Sequence, residues 1–296
     1  MIIVTGGFGF IGSNLVKRLI KDKVKFAVVE DYDDITQKFS NVNCSDIQRL
    51  FNPDAFIKHF NEWDKVTKVF HEGAITSTTE TDGNLVLNRN YEFTKKLIRK
   101  CIRHDVPIQY ASSASMYGKV EKGTKSKESD KLNPLNLYSY SKYLIDVYVE
   151  RLIKKMPQAK IQGLRYFNVY GNNETHKGNQ ASPYTKFEEQ VLETGSCKVF
   201  EGSDNFFRDF IHVDEVLDIK FKLAEKFDTV NGIYNCGTGK VKSFLDVAHE
   251  IQTKHNSKID FIEMPEELKP HYQDWTCASL DKLNSVLGDY FEKKNS

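Results

Sequence analysis

Tyr138 and Lys142 stand four residues apart in the run NLYSYSKYLIDVYVERLI, so a helix there puts a phenol and an amine on one face, one turn apart. A free tyrosine ionises near pH ~10, and a cation beside it favours the phenolate. The pair is then an acid/base able to move a hydroxyl proton near neutral pH. The amino terminus supplies the complementary chemistry. Residues 1–4 (MIIV) form a short apolar run, TGGFGFIG follows, and from Phe10 onward Ile11, Leu15, Val16, Leu19 and Ile20 recur at helical spacing. Gly7, Gly9 and Gly12 satisfy G-x-G-x-x-G, and Gly6, Gly9 and Gly12 satisfy the looser G-x-x-G-x-x-G. A backbone without Cβ atoms can approach a pyrophosphate, and the positive end of the following helix faces that anion. Strand, glycine turn and helix together predict a cradle for a nicotinamide dinucleotide.

The remaining elements have to carry these groups to one place. Residues 25–29 (KFAVV) read as a second buried strand ending at Glu30-Asp31, close to the offset of about 20 residues at which a carboxylate reaches the adenosine ribose. Taken alone, Glu30 favours NAD, because a carboxylate repels a 2′-phosphate. Lys38 could reverse that preference by pairing with the phosphate, or be a solvated loop lysine. Residues 66–70 (VTKVF) read as a strand that delivers HEGAITSTTE to the carboxyl edge of a parallel sheet, where Gly73 and Ala74 would line the cofactor path. His71 and Glu72 lack the second histidine of H-E-x-x-H, so packing is preferred over a metal site. Residues 82–104 predict a long amphipathic helix, with Asn90 as a polar residue able to tie the next loop in place.

Residues 108–111 are a strand leading into SSASMYG, residues 161–166 another leading into RYFNVYG, and the alternation predicts a Rossmann-type, doubly wound α/β parallel sheet. Beyond Gly171 the rhythm changes. A helix at 182–193, two strand-like stretches around a polar turn in KVFEGSDNFFRDFIHVDEV and a helix at 214–226 are expected first. A strand at 232–236, a helix at 244–254, a strand-like stretch at 258–263 and a helix at 278–287 should follow. The expected division is a dinucleotide-binding part over 1–170, to which 205–240 partly returns, and a smaller interleaved substrate lobe over 171–296.

Composition narrows the function classes. Lys plus Arg (42) balances Asp plus Glu (41) across 296 residues, which offers no global field for nucleic acid or an anionic membrane. The five cysteines show no C-x-x-C and no zinc spacing, so no disulfide framework or metal centre is expected, and a reducing compartment is. Met1 leads straight into the first apolar run and no run approaches a membrane span, so a soluble cytoplasmic protein without a leader is expected.

TGGFGFIG, ASSASMYG, YSYSK and RYFNVYG stand in the order and spacing of the extended short-chain dehydrogenases/reductases, the NAD-dependent epimerases and dehydratases. The chain resembles that family over nearly its whole length. FHEGAITSTTE, PLNLYSYSKYLIDVYV, LRYFNVYGNNETHKG and FEGSDNFFRDFIHV resemble its heptose epimerase branch. The resemblance implies inversion at C6″ of an ADP-manno-heptose, through a transient ketone, for lipopolysaccharide core synthesis. It implies Tyr138 as acid/base, Lys142 as the cation holding the nicotinamide ribose, Ser113 (with Ser112 and Ser115 as rivals) on the reacting oxygen, and Lys177 as a second acid/base on the opposite face. It implies a cofactor path along Gly6, Gly9, Phe10, Ile11, Gly12, Glu30, Asp31, Lys38, Glu72, Gly73, Ala74, Ile75, Thr76, Asn90 and Val169. Asn168, Asn179 and Lys186 would meet the sugar nucleotide, while Phe200, Glu201, Gly202, Ser203, Arg208 and Tyr272 would hold its ADP portion. The family habit makes NADP the expected cofactor despite Glu30, and suggests a homo-oligomer, a pentamer. Another nucleotide-sugar epimerase or a 4,6-dehydratase is the alternative enzyme, and a non-catalytic dinucleotide sensor the alternative of another class.

Overall fold

A computed structural model of the chain describes residues 1–266 and 274–288. Its centre is a seven-stranded sheet of β1 (Ile2–Thr5), β2 (Phe26–Val29), β3 (Leu50–Phe51), β4 (Lys68–His71), β5 (Ile108–Ser113), β6 (Ile161–Tyr166) and β11 (Gly232–Cys236). The strands lie in the order β11-β6-β5-β4-β1-β2-β3, and each neighbouring pair is parallel. The doubly wound parallel sheet expected from the sequence is therefore present. The order reverses between β1 and β4, which opens a crevice at the carboxyl ends of those strands.

Period-two alternation in β1 sends side chains to two helical layers. Ile3 joins Val69, Ile108 and Ile161 under α3 (Pro53–His59), α5 (Phe93–Arg103) and α6 (Leu137–Lys155), where Phe56, Leu97, Ile98, Ile145 and Val149 are buried. Ile2 and Val4 join Val28 and Phe70 on the other face, beneath Leu15, Val16 and Leu19 of α1 (Phe10–Lys21) and Leu217 of α8 (Val213–Ala224). Side chains of β6 and β11 add a third cluster with α8 and α10 (Asp281–Leu287).

A smaller lobe is built on β8 (Ser196–Phe200), paired in parallel with β13 (Lys258–Ile262) and packed against α7 (Pro183–Thr194) and α9 (Phe244–His255). Short pairs join it to the sheet. β7 (Asn168–Tyr170) runs parallel to β10 (Phe210–His212), and β9 (Phe207–Arg208) runs antiparallel to β12 (Lys242–Ser243).

Three sequence expectations need correction. The two strand-like stretches around a polar turn are three strands, β8, β9 and β10, each paired with a distant segment, so no hairpin forms. The helix expected from 278 begins at Asp281, because Cys277 and Ser279 give their backbone groups to Ser126. The helix expected over 82–104 is broken into α4 (Gly83–Val86), a π-helical turn at Leu87–Glu92, and α5. Between β2 and β4, where the sequence signals no element, lie α2 (Tyr32–Lys38), β3 and α3. Among the described residues no helix is long and apolar enough to cross a membrane.

Candidate active site

The glycine turn joins β1 to α1 at the crevice. Gly6 adopts φ +68°, and a Cβ on it would sit 2.5 Å from the Gly73 nitrogen at the end of β4. A Cβ on Gly12 would sit 2.0 Å from the Gly6 carbonyl oxygen. Both positions therefore require glycine, and the backbones of the two strand ends touch. Gly9 caps α1 without a side chain, which leaves the positive end of a 12-residue helix open to an anion. This is the form a pyrophosphate cradle needs, and the described residues fit the dinucleotide. Phe10 and Ile11 form the first turn of α1, and Ile11 packs in the same cluster as Val169 of β7.

Two acids follow β2. Glu30 is buried and its Oε2 accepts the Phe8 N–H at 2.9 Å, so it is folded against the turn. Asp31 caps α2 and meets the Arg89 guanidinium at 2.7 Å. Lys38 lies in the last turn of α2, and its charge, after burial, helps lower the pKa of His176. On the other side of the turn, Asn90 is buried and clamps Ile75 through both its N–H (2.8 Å) and its C=O (2.9 Å), while also donating to Ser141 of α6. The loop holding Gly73, Ala74, Ile75 and Thr76 is thereby tied to α6; it is the loop before Asn90, not the one after it that the sequence led us to expect. His71 is enclosed between Thr5 and Thr94, and burial lowers its pKa to about 3, so it is a neutral packing residue.

Glu72, by contrast, is turned into a buried network. Lys220 of α8 donates to it at 2.5 Å, and the Tyr166 hydroxyl donates at 3.0 Å. Lys220, in the middle of an otherwise apolar helix face, carried no sequence signal; nor did Glu174 or Asp209, described below.

α6 starts at a capping box between Asn136 and Ser139, which places Tyr138 in its first turn. Tyr138 hydrogen-bonds Ser113 at the end of β5; burial raises the phenol pKa and this bond lowers it. Ser113 in turn donates to Ser115 at 2.9 Å, whereas Ser112 points away to Asp146. Of the three serines, Ser113 is the one against the phenol. Lys142, one turn on, is buried, donates to the Ala111 carbonyl at 2.8 Å, and lies 6.0 Å from the Tyr138 ring centre. Burial lowers its pKa to about 8, against the raising effect of Glu72 and Asp146. The helix itself is anchored by Asp146, which pairs with Arg165 of β6 at 2.8 Å and accepts from Tyr110 and Ser112.

Lys177 lies in the short helical turn Thr175–Gln180. Its ammonium is 3.0 Å from Glu174 and 5.3 Å from the Phe10 ring centre, directly at the start of α1. Glu174 is buried and also accepts from the Ser182 N–H, the Ser182 hydroxyl and Thr185, so it fixes Lys177 to the base of α7. Asn172 and Asn173 fasten the same loop to Asn14 and Ser13 of α1. Lys186 is half-buried beside Glu174 and Lys177, and Asn179 is exposed on the turn.

Arg208 is buried and stacks over Phe244, 5.2 Å from its centre. Ser203 is 2% exposed, and its buried hydroxyl has no hydrogen-bond partner among the described residues; Phe200, Glu201 and Gly202 precede it in the chain. Asn168 of β7 accepts from Thr276 at 3.2 Å. Asp209 organises this corner: its carboxylate accepts from the backbone of Thr238, Gly239 and Ala278. Tyr272 lies outside the described residues.

The comparisons agree with this architecture. The chain is 40% identical over 292 residues, 97% of its length and 91% of the relative's, to the ADP-L-glycero-D-manno-heptose-6-epimerase of Brachyspira hyodysenteriae. Its fold matches the crystal structure of the Helicobacter pylori ADP-L-glycero-D-manno-heptose-6-epimerase with a TM-score of 0.81 at 24% identity, covering 97% of this chain and 89% of that one. It also matches the Thermus thermophilus UDP-glucose 4-epimerase, solved with NAD, with a TM-score of 0.78 at 24% identity, covering 98% of both chains. A family model matches residues 2–237, and with that span and the Brachyspira relative the chain belongs to the NAD dependent epimerase/dehydratase family.

Proposed function

We propose that the chain converts ADP-D-glycero-D-manno-heptose to ADP-L-glycero-D-manno-heptose by oxidising and re-reducing C6″ on a tightly held nicotinamide dinucleotide. The observation that carries this reading is the convergence of Tyr138, Ser113 and Lys142 at the carboxyl end of β5, on the same sheet edge as the glycine turn, with Lys177 at the start of α1. The 40% identity to the Brachyspira epimerase supports the choice of substrate. NADP is the proposed form of the cofactor, since Glu30 is engaged with the turn and Lys38 and Arg89 stand on the adenosine side. A cytoplasmic homo-oligomer, a pentamer by family resemblance, serving lipopolysaccharide core synthesis completes the proposal.

Residues 1–170, with 205–240 returning to the sheet, hold the cofactor in this account, and 171–296 mainly hold the sugar nucleotide. Gly6, Gly9, Phe10, Ile11 and Gly12 face the pyrophosphate, Glu30, Asp31 and Lys38 the adenosine, and Glu72 to Thr76, Asn90 and Val169 the nicotinamide side. Asn168, Asn179 and Lys186 contact the heptose; Phe200 to Ser203, Arg208 and Tyr272 hold the ADP, for which the Arg208 fork suits the diphosphate.

A nicotinamide dinucleotide held along the glycine turn would supply reversible hydride transfer at C6″, with no net redox change. Tyr138 takes the hydroxyl proton at its phenolic oxygen, with Ser113 holding the reacting oxygen. Burial alone pushes the Tyr138 phenol upward, so the phenolate depends on positive charge nearby, and the Lys142 ammonium supplies the protein's share. Lys177 delivers or removes the proton on the second face of the planar ketone, held by Glu174 between turns.

Proton NMR of the sugar nucleotide tests the reading. Wild-type protein should invert C6″ only, and Tyr138→Phe and Lys177→Met should each slow inversion by about 10²–10⁴-fold while retaining bound cofactor. Inversion at C4, loss of water from the sugar, or full turnover by both variants contradicts it.

A further inference from the structure

We propose that Arg89 selects the phosphorylated dinucleotide: its guanidinium, seated on Asp31, is the ligand for the 2′-phosphate of the adenosine ribose. The inference rests on the cofactor reading above and deepens it. In this fold the ribose is read just past β2, by a carboxylate for a 2′-hydroxyl or by a nearby arginine for a 2′-phosphate. Two acids stand there. Glu30 is 5% exposed and gives an oxygen to Phe8 inside the turn. Asp31 is the more outward of the two, and Arg89 Nη2 lies 2.7 Å from its carboxylate.

Arg89 comes from an element 60 positions beyond Val29, the end of β2, whereas Lys38 stands close behind that strand. It sits in the π-helical turn Leu87–Glu92, a widened turn of the kind often found at functional sites. The backbone at that point is fixed, because the next residue, Asn90, is 1% exposed and bonded to Ile75 and Ser141. The second contact, to Asp54 at 3.7 Å, is loose, and Asp54 is largely exposed. A guanidinium carries five N–H donors, so pairing with Asp31 leaves donors for a phosphate in forked geometry. Charge gives the same answer. A dianionic phosphate beside Asp31 is repelled unless a cation stands between them, and Arg89 is that cation. Without Arg89, Asp31 faces the ribose directly and suits the 2′-hydroxyl of NAD.

The test has two readouts besides turnover. Mass spectrometry identifies the dinucleotide released from purified wild type, Arg89→Gln, Arg89→Lys and Lys38→Gln; calorimetry measures how adenosine 2′,5′-bisphosphate and AMP bind to each after the cofactor is removed. Wild type should release NADP and favour the bisphosphate. Arg89→Gln should lose about 10- to 100-fold for the bisphosphate, keep AMP affinity within about 2-fold, and shift the released pool toward NAD. Arg89→Lys, keeping the charge without the fork, should fall between and shows that the site still folds. A loss confined to Lys38→Gln overturns the Arg89 assignment and leaves the NADP reading standing. Equal weakening of both probes in the Arg89 variants makes the residue structural and overturns the proposal. Release of NAD from wild type, with AMP bound as tightly as the bisphosphate, overturns the NADP reading together with it.

Discussion

Replacing Asp146 with alanine should unfasten α6, the helix that carries Tyr138 and Lys142, from the sheet. Asp146 and Arg165 are both 0% exposed, and their 2.8 Å pair is backed by the Tyr110 hydroxyl at 2.8 Å and the Ser112 hydroxyl at 2.9 Å. Removing one partner of such a pair strands the other charge in the interior, a loss of roughly 3–5 kcal/mol. Arg165 keeps Tyr117 and the Glu128 carbonyl as partners, which moderates the loss, while the two orphaned hydroxyls add to it. A total of about 4–5 kcal/mol corresponds to a fall in Tm of about 6–8 °C for a chain of this size. Urea unfolding followed by circular dichroism, with the melting curve as a second measure, reads the effect. The double variant Asp146→Leu/Arg165→Met, which removes both charges, should recover most of the loss. A single variant that loses less than about 1 kcal/mol, or a double variant no more stable than the single, would refute the claim that this pair anchors Tyr138 and Lys142.

Gly12→Ala should abolish dinucleotide binding and lower stability, because its Cβ would lie 2.0 Å from the Gly6 carbonyl oxygen; calorimetric titration that still shows wild-type affinity refutes the cradle. Lys142 makes stability depend on pH with a definite sign. Its folded pKa of about 8 is below the ordinary value of about 10.4, so between those pH values the unfolded chain holds a proton that the folded chain does not. The stability contributed by this group therefore rises as the pH climbs from about 8 to about 10, and Lys142→Met should lack that rise; parallel urea curves for both proteins at pH 7 and 9.5 decide it. If Lys142 holds the nicotinamide ribose as proposed, the affinity for the dinucleotide should fall over the same range, as its ammonium loses its proton.

The parts of this site that were legible in the sequence are those encoded at short range. The glycine turn, the four-residue interval from Tyr138 to Lys142 and the period-two apolar strands are local patterns, and each places its residues by backbone geometry alone. Asn90 was also visible, as a polar residue interrupting a helical stripe. What escaped is set by contacts between distant segments. Lys220 and Glu72 are 148 positions apart, and Arg165 and Tyr117 are 48 apart. Nothing in a helical stripe marks Lys220 as buried beside a carboxylate. Glu174 and Asp209 sit in motifs whose neighbours drew the reading, Lys177 and Arg208, yet each is the carboxylate that holds its loop in place. Arg89 likewise sits in a π-helical turn, next to Asn90, whose bonds to Ile75 no helical periodicity encodes.

The central claim is that one hydride leaves C6″ and returns to the same carbon of the same molecule. Supplying ADP-D-glycero-D-manno-heptose with deuterium at C6″, in ordinary water, and reading the product by NMR tests it most directly. The account predicts full retention of deuterium at the inverted carbon, and no deuterium gained there when unlabelled substrate turns over in heavy water. Washout of the label, or its entry from solvent, would contradict it.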